Sequence, residues 1–439
     1  MTTVMRYVYS AFFYLLVPYL LLRLLWRSRK NPGYRQRIPE RFGFALPRFK
    51  QAIWVHAVSV GESLIAVSLI KKLRLVYPSL PIVVTTMTPT GAARIQAALG
   101  DTVTHLYVPY DLPTAINRFL KRINPLIAII METELWPNFY AACEQRDVPI
   151  VIANGRLSER SAQGYRRISA LTWEMLSRVN LLMAQGKADA ERYIALGMNP
   201  QRLVVTGNIK FDLELPADLI SRSEVLRMHL GKNQLIWIAA STHSGEEELV
   251  LKAHALIRER LPEARLILVP RHPERFDEVA HLLTQQGFSY IRRSQGESCQ
   301  ADTAVFLGDT MGEMLLFYAA SDVALVGGSF APIGGHNLLE PAALAKPVIS
   351  GPQLFNFTEI SELLLRADAL VIVPDAPRLA ETVLHYFTDA SARKQKGEQA
   401  RQVVEANRGA LAKHIDLISG IIGSAPAVET KTPHVHTSS

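Results

Sequence analysis

Residues 327–352 read GGSFAPIGGHNLLEPAALAKPVISGP, and their reading decides the fold. The apolar run DVALV just upstream has strand length and ends at Gly327-Gly328-Ser329. A helical pattern then starts at about Asn337 and gives way to a second strand, PVISG. Strand, glycine-rich turn, helix, strand is the unit of a parallel sheet, with the turn at the carboxyl end of the first strand. Glycines let a backbone approach a phosphate, and the N–H groups of a helix start point at it. Glu340, one turn in, suits ribose hydroxyls better than a phosphate. The arrangement is therefore expected to suit a nucleotide in the C-terminal half.

The same alternation runs outward in both directions. IWVHAVS, IVVTTM, HLYVP, LIAIIM, IVIAN, LLMAQ and LVVTG read as buried strands separated by amphipathic helical stretches. The series restarts with LIWIAAS, RLILVP, FSYIRR and AVFLG, passes through the opening stretch, and closes with ALVIVP. This predicts an α/β protein of two Rossmann-like, doubly wound domains facing a central cleft, residues 31–212 and 213–423. A helical run over about 377–422 closes the second domain, and a polar tail, 424–439, is expected to be disordered.

The formal charge of +8 over 439 residues suggests nucleic acid until it is located. Residues 23–50 hold nine Lys/Arg and one acid, which accounts for the whole excess. With no helix-turn-helix or zinc-finger pattern elsewhere, nucleic-acid binding is excluded. Just before this basic stretch lie sixteen uncharged residues, Tyr7 to Leu22. As a helix they span roughly 24 Å, less than a ~30 Å hydrocarbon core. They lack a signal-cleavage site. Residues 1–30 are expected to form an uncleaved anchor that spans or lies in the interface, its basic flank against anionic lipid on the cytoplasmic face. The two cysteines, Cys143 and Cys299, form no disulfide framework and fit a reducing compartment.

Ligands of open parallel sheets bind beyond the carboxyl ends of the strands. Glu62 follows the first strand at a strand-to-helix turn, as either a helix-start acid or a general base. Glu132 and Glu134 follow LIAIIM, while Asn154 and Arg156 bring further polar groups to the same rim. Lys210 sits at the domain junction. In the second half, Ser241 and Thr242 follow a strand, either as a helix cap for Glu246–Glu248 or as ligand contacts. Arg271 and His272 follow another strand. Met311, Gly312 and Glu313 open a helix, an anion or ribose site. No Asp-x-Asp motif or His/Asp cluster indicates a metal, and no other cofactor is expected.

Together, SVGES, TTMTPTG, METELWPN, NGRLSERSA, STHSGEEE, LVPRHPERF, GDTMGEM and GGHNLLEP resemble the 3-deoxy-D-manno-octulosonic acid (Kdo) transferases of lipopolysaccharide synthesis. The resemblance runs from the apolar N-terminus to about residue 420. It implies a GT-B fold with the acceptor on the N-terminal domain and the nucleotide on the C-terminal one. It implies inverting transfer of Kdo from CMP-Kdo to a lipid A precursor (lipid IVA) at the cytoplasmic side of the inner membrane. By motif, Glu62 is the proton acceptor, and Glu132 and Lys210 stabilise the transition state. Arg271, His272, Met311 to Glu313 and Asn337 to Glu340 are the CMP site. The alternatives are a lipid A glycosyltransferase using a UDP-sugar, a nucleotide-sugar epimerase, and a membrane-tethered nucleotide-binding protein without activity.

Overall fold

The structure, a computed structural model, describes residues 2–424, so the expected tail lies, from residue 425 on, outside the described residues. The chain divides into two compact units. The first comprises the residues up to Asp212 together with the chain from Gly409, and the second is Leu213–Arg408.

The first unit is built on seven strands: β1 (Ala52–His56), β2 (Ile82–Thr86), β3 (Thr104–Tyr107), β4 (Pro125–Met131), β5 (Ile150–Gly155), β6 (Leu181–Ala184) and β7 (Leu203–Val205). Their order is β3-β2-β1-β4-β5-β6-β7, with parallel pairing throughout. β1, β2 and β5 are buried along their whole length, as expected where helices cover both faces of a parallel sheet. The continuous aliphatic runs in the sequence have this cause. Strand order reverses between β1 and β4, so the turn after β1 and the loop after β4 flank one crevice.

The second unit repeats the plan with β8 (Ile236–Thr242), β9 (Arg265–Pro270), β10 (Tyr290–Arg292), β11 (Val305–Leu307), β12 (Val323–Val326), β13 (Val348–Ser350) and β14 (Leu370–Ile372). Its order is β10-β11-β9-β8-β12-β13-β14, again all parallel. Here the reversal falls between β8 and β12, the strand that runs into Gly327.

One assignment from sequence is corrected. The helical run near 377–422 is three helices, Ala376–Thr388, Ala390–Ala406 and Ala410–Ser424, and the last belongs to the first unit. Ala410, Leu411 and Ile418 are buried in the first unit's core beside Ile53, Val55 and Ile209. His414, fully buried, fixes the helix there. Its Nδ1 donates to the Ala410 carbonyl at 2.7 Å, and its Nε2 accepts the Asn154 N–H at 2.9 Å. Burial lowers the His414 pKa to about 4, which keeps the ring neutral and able to accept.

The N-terminal segment forms two helices, Thr2–Leu15 and Val17–Arg27, bent by 49°. Pro18, in the first turn of the second helix, has no N–H with which to continue the first. Among the described residues no single helix is long and apolar enough to cross a membrane, though this bent pair passes that test together. One side of the pair packs on the first unit. Ser10 Oγ donates to Asn138 Oδ1 at 2.9 Å, Arg6 lies 3.9 Å from Glu174, and Leu24 is buried with Tyr110, Leu112 and Ala115.

Candidate active site

In the first unit the polar groups gather at the ends of β1, β4 and β5. Ser59 caps the helix Val60–Val76, its hydroxyl accepting the Glu62 N–H at 3.2 Å. Glu62 answers by accepting the Val58 N–H through Oε2 at 2.7 Å, a reciprocal arrangement of the capping-box kind. The helix-start role is thus real. It does not exhaust the residue, because Glu62 is buried and its carboxyl pKa is raised, by burial first and by the nearby charge of Glu132 as well. A carboxylate held in one orientation with enhanced basicity is what a general base requires.

Glu132 turns the chain off β4 with φ at +55°, in the left-handed region that a residue with a Cβ seldom adopts. Its N–H still bonds the Ala153 carbonyl at 2.9 Å, so the sheet ladder holds the strained residue in place. Such strain costs on the order of 1–3 kcal/mol and collects at functional sites. Glu134 accepts the Trp136 indole N–H at 2.8 Å, and its pKa rises to about 7. Burial is the main cause, and the charges of Glu62 and Glu132 add to it. The Trp136 ring stands edge-on to His56 at 5.3 Å, which ties this loop to the end of β1.

Asn154, expected at the rim, is instead completely buried, with φ at +54°. Its Oδ1 accepts the Ile209 N–H at 3.0 Å, and so it holds the short turn Ile209–Phe211 that carries Lys210. The Lys210 N–H bonds Asn208 Oδ1 at 3.1 Å, and the side chain is half-buried. Asn154 therefore links β5, the Lys210 turn and the final helix, and makes no rim contact.

The second unit departs further from expectation. The helix Glu246–Arg260 is capped by Gly245, without any side chain from Ser241 or Thr242. The Thr242 hydroxyl is buried and donates to Glu247 at 2.8 Å, and Glu247 in turn pairs with Arg275 at 2.6 Å. Thr242 is thereby committed to structure. Ser241 remains half-buried with φ at +58° at the end of β8.

The glycine-rich turn is already occupied. The Glu246 carboxylate, itself buried, accepts the N–H groups of Gly328 (2.7 Å), Ser329 (2.9 Å), Phe330 (2.9 Å) and His243 (3.0 Å). The Gly328 and Ser329 amides belong to the glycine turn expected to approach a phosphate. A buried carboxylate needs donors, and it has taken them.

The remaining candidates keep their places. Arg271 follows β9, and its guanidinium makes no ion pair among the described residues. His272 is exposed beside it, its ring edge-on to His243 at 5.2 Å. Glu313 caps the helix Met314–Ala320, but its carboxylate bonds Arg293 (2.8 and 3.0 Å) and Thr310. The Arg293 bonds hold its pKa down. Met311 is exposed and Gly312 has φ at +83°, so this stretch offers main chain at a helix start. Leu338 and Leu339 are buried, and only their backbone could meet a ligand. The helix there is short, Leu339–Ala343. The half-buried Glu340 accepts from Asn337 Nδ2 at 3.1 Å, and burial raises its pKa against the pull of Asn337 and Arg271.

Two parallel α/β units, each with charged groups at the carboxyl ends of its strands, define the GT-B fold class. The fold is shared with UDP-GlcNAc 2-epimerase from Neisseria meningitidis, at a TM-score of 0.58 and 12% identity over 84% of this chain and 100% of that one. Residues 36–213 match the family model described as 3-deoxy-D-manno-octulosonic-acid transferase (kdotransferase). The 3-deoxy-D-manno-octulosonic acid transferase of Haemophilus influenzae is 43% identical over 94% of this chain and 98% of its own length. That of Bordetella pertussis is 34% identical over 91% and 95%. The chain belongs to the Kdo transferase family and is a glycosyltransferase.

Proposed function

We propose that this enzyme transfers Kdo from CMP-Kdo to a hydroxyl of a lipid A precursor (lipid IVA), with inversion at the anomeric carbon. The observation that carries this reading is Glu62, a buried carboxylate of raised pKa at the end of β1 in a chain that aligns with Kdo transferases over nearly its whole length. Glu62 takes the proton of the acceptor hydroxyl as its oxygen bonds to the anomeric carbon, and CMP departs with the electrons of the broken C–O bond. Glu132 and Lys210 stabilise the charge that develops. In the second unit Arg271 and His272 face the phosphate, and the main chain at Met311–Glu313 and Asn337–Leu339 holds the nucleoside with Glu340. CMP leaves as a monophosphate with no diphosphate to bridge, so cationic side chains supply the neutralisation. No further cofactor takes part.

The apolar helix pair supports a place at the membrane surface. Tyr7, Val8, Phe12, Leu15, Tyr19, Leu22 and Trp26 are exposed, and Arg23, Arg27, Arg29 and Lys30 stand beside them. Because its other side packs on the first unit, the pair lies in the interface of the inner membrane, on the cytoplasmic side, and does not span it. The test is mass spectrometry of the product from CMP-Kdo and tetraacylated lipid A precursor, with CMP and UDP as competitors. A mass gain of one or more Kdo units, inhibited by CMP alone, supports the reading. No transfer, or inhibition by UDP in place of CMP, overturns it.

A further inference from the structure

Glu246 changes how an anion can be held in the second unit. With the amides of Gly328, Ser329 and Phe330 all bonded to its carboxylate, none of these three N–H groups is left for a phosphate. Negative charge arriving there has to be met by side chains.

Three imidazoles surround this turn. His243 and His336 meet edge to edge and nearly coplanar, with centroids 5.1 Å apart, planes 9° from parallel and their Nε2 atoms 2.8 Å from each other. His272 stands edge-on to His243. The close approach is built into the backbone. Gly328 has φ at +67°, and a Cβ there would fall 2.7 Å from His336 Cδ2, so only glycine lets the ring sit where it does. The loop that Glu246 anchors therefore also seats the histidine pair.

Two ring nitrogens at 2.8 Å are hydrogen-bonded, which requires an N–H on one and a lone pair on the other. Two N–H groups cannot face each other at that distance. The pair is thus neutral with one shared N–H and one bare Nδ1, or a monocation with that Nδ1 protonated. It holds at most one positive charge. The groups facing His243 are Glu246, which favours its cation, and His272, Arg271 and Arg275, which oppose it. Those facing His336 are Arg271, His243 and His272, all opposing. Burial is the largest influence on both, and His336 is lowered to about 4, so the empty pair is neutral at pH 7.

We propose that His243 and His336 are phosphate-binding residues of the donor site, acting as one unit that takes up a single proton when the nucleotide arrives. The proton comes from solvent and forms an N–H at the bare Nδ1. The shared Nε2 hydrogen bond persists, and the resulting monocation joins Arg271 in neutralising the phosphate. Both rings are half-buried, and the phosphate's charge opposes the cationic field that adds to burial in keeping the pair neutral. The proposal rests on the donor reading given above.

The test is titration calorimetry of the full chain at pH 7 with CMP and with cytidine, in buffers of different ionisation enthalpy, so that protons are counted. CMP should bring net proton uptake that cytidine does not. Between pH 7 and 8.5, where a phosphate monoester of second pKa about 6 is already dianionic, CMP affinity should fall by up to about tenfold per pH unit. His336→Asn and His243→Asn should each flatten that slope and remove the extra uptake, while cytidine affinity stays within a few-fold. Equal uptake for CMP and cytidine in the wild type, or an unchanged slope in both variants, overturns the proposal alone. Failure of the wild type to bind CMP overturns the donor reading, and this proposal with it.

Discussion

The Glu246 carboxylate accepts the N–H of Gly328 at 2.7 Å, across 82 residues of sequence, and three more amides complete its shell. This contact sets the course of the chain between β12 and the helix at Leu339. Glu246→Ala leaves buried donors without a partner, each costing roughly 1–3 kcal/mol. The second unit should lose on the order of 3 kcal/mol or more in denaturant unfolding. Glu246→Gln, which keeps one acceptor oxygen, should lose less. A Glu246→Ala variant as stable as wild type would show that the amides are satisfied some other way.

Glu134 makes stability depend on pH in an unusual direction for a carboxylate. Its pKa is raised from 4.5 to about 7, so the folded state favours the protonated acid. That contribution is complete below pH 4.5 and is lost as pH rises through 7. Glu134→Gln, neutral throughout, should therefore be more stable than wild type at pH 8, by on the order of 1–3 kcal/mol. The difference should vanish near pH 4. Thermal melts at the two pH values decide it, and a variant destabilised equally at both would place Glu134 in simple packing.

Arg271→Ala removes a cation that the account aims at the CMP phosphate. CMP affinity should fall by the roughly 1.5–3 kcal/mol of a charge-assisted hydrogen bond, about ten- to 150-fold. Calorimetry reads this directly. An unchanged dissociation constant would return Arg271 to a structural role.

The helix pair separates two effects that deletion would confuse. Removing residues 1–30 takes away Ser10, Arg6 and Leu24, which pack on the first unit, and so should lower its melting temperature. Replacing the exposed Leu22 and Trp26 by Ser touches only the outer face. That variant should sediment less with anionic vesicles and melt as wild type does. Undiminished vesicle binding would locate the membrane contact elsewhere.

All fourteen strands were legible because each is a short apolar-rich run between turn residues, a pattern that owes nothing to distant partners and that even the partly exposed edge strands β7 and β10 keep. Inspecting strand ends led to Glu62, Glu132, Arg271 and Gly327 for the same topological reason. What escaped the sequence depends on long-range pairing. Nothing in EEELV says that its first glutamate closes a loop 82 residues away, or in STHSG and GGHN that two rings meet edge to edge. The final helix has apolar spacing that suits either core, and only the Asn154–His414 bond and the burial of Ile418 assign it. The strained φ of Glu132 carries no local signal, since glycine is the usual mark of such a turn.

Glu62 tests the central claim most directly. The acceptor hydroxyl is a poor nucleophile until its proton is taken, and Glu62 is the group assigned to take it. Glu62→Gln keeps the shape and can still accept the Val58 N–H, while losing basicity. The measurement is turnover of CMP-Kdo with tetraacylated lipid A precursor, alongside CMP affinity as a control of the second unit. The account predicts a loss of roughly 10²–10⁴-fold in turnover, the usual worth of a positioned base, with CMP binding unchanged. Turnover within a few-fold of wild type would contradict it and leave Glu62 as a helix-cap acid alone.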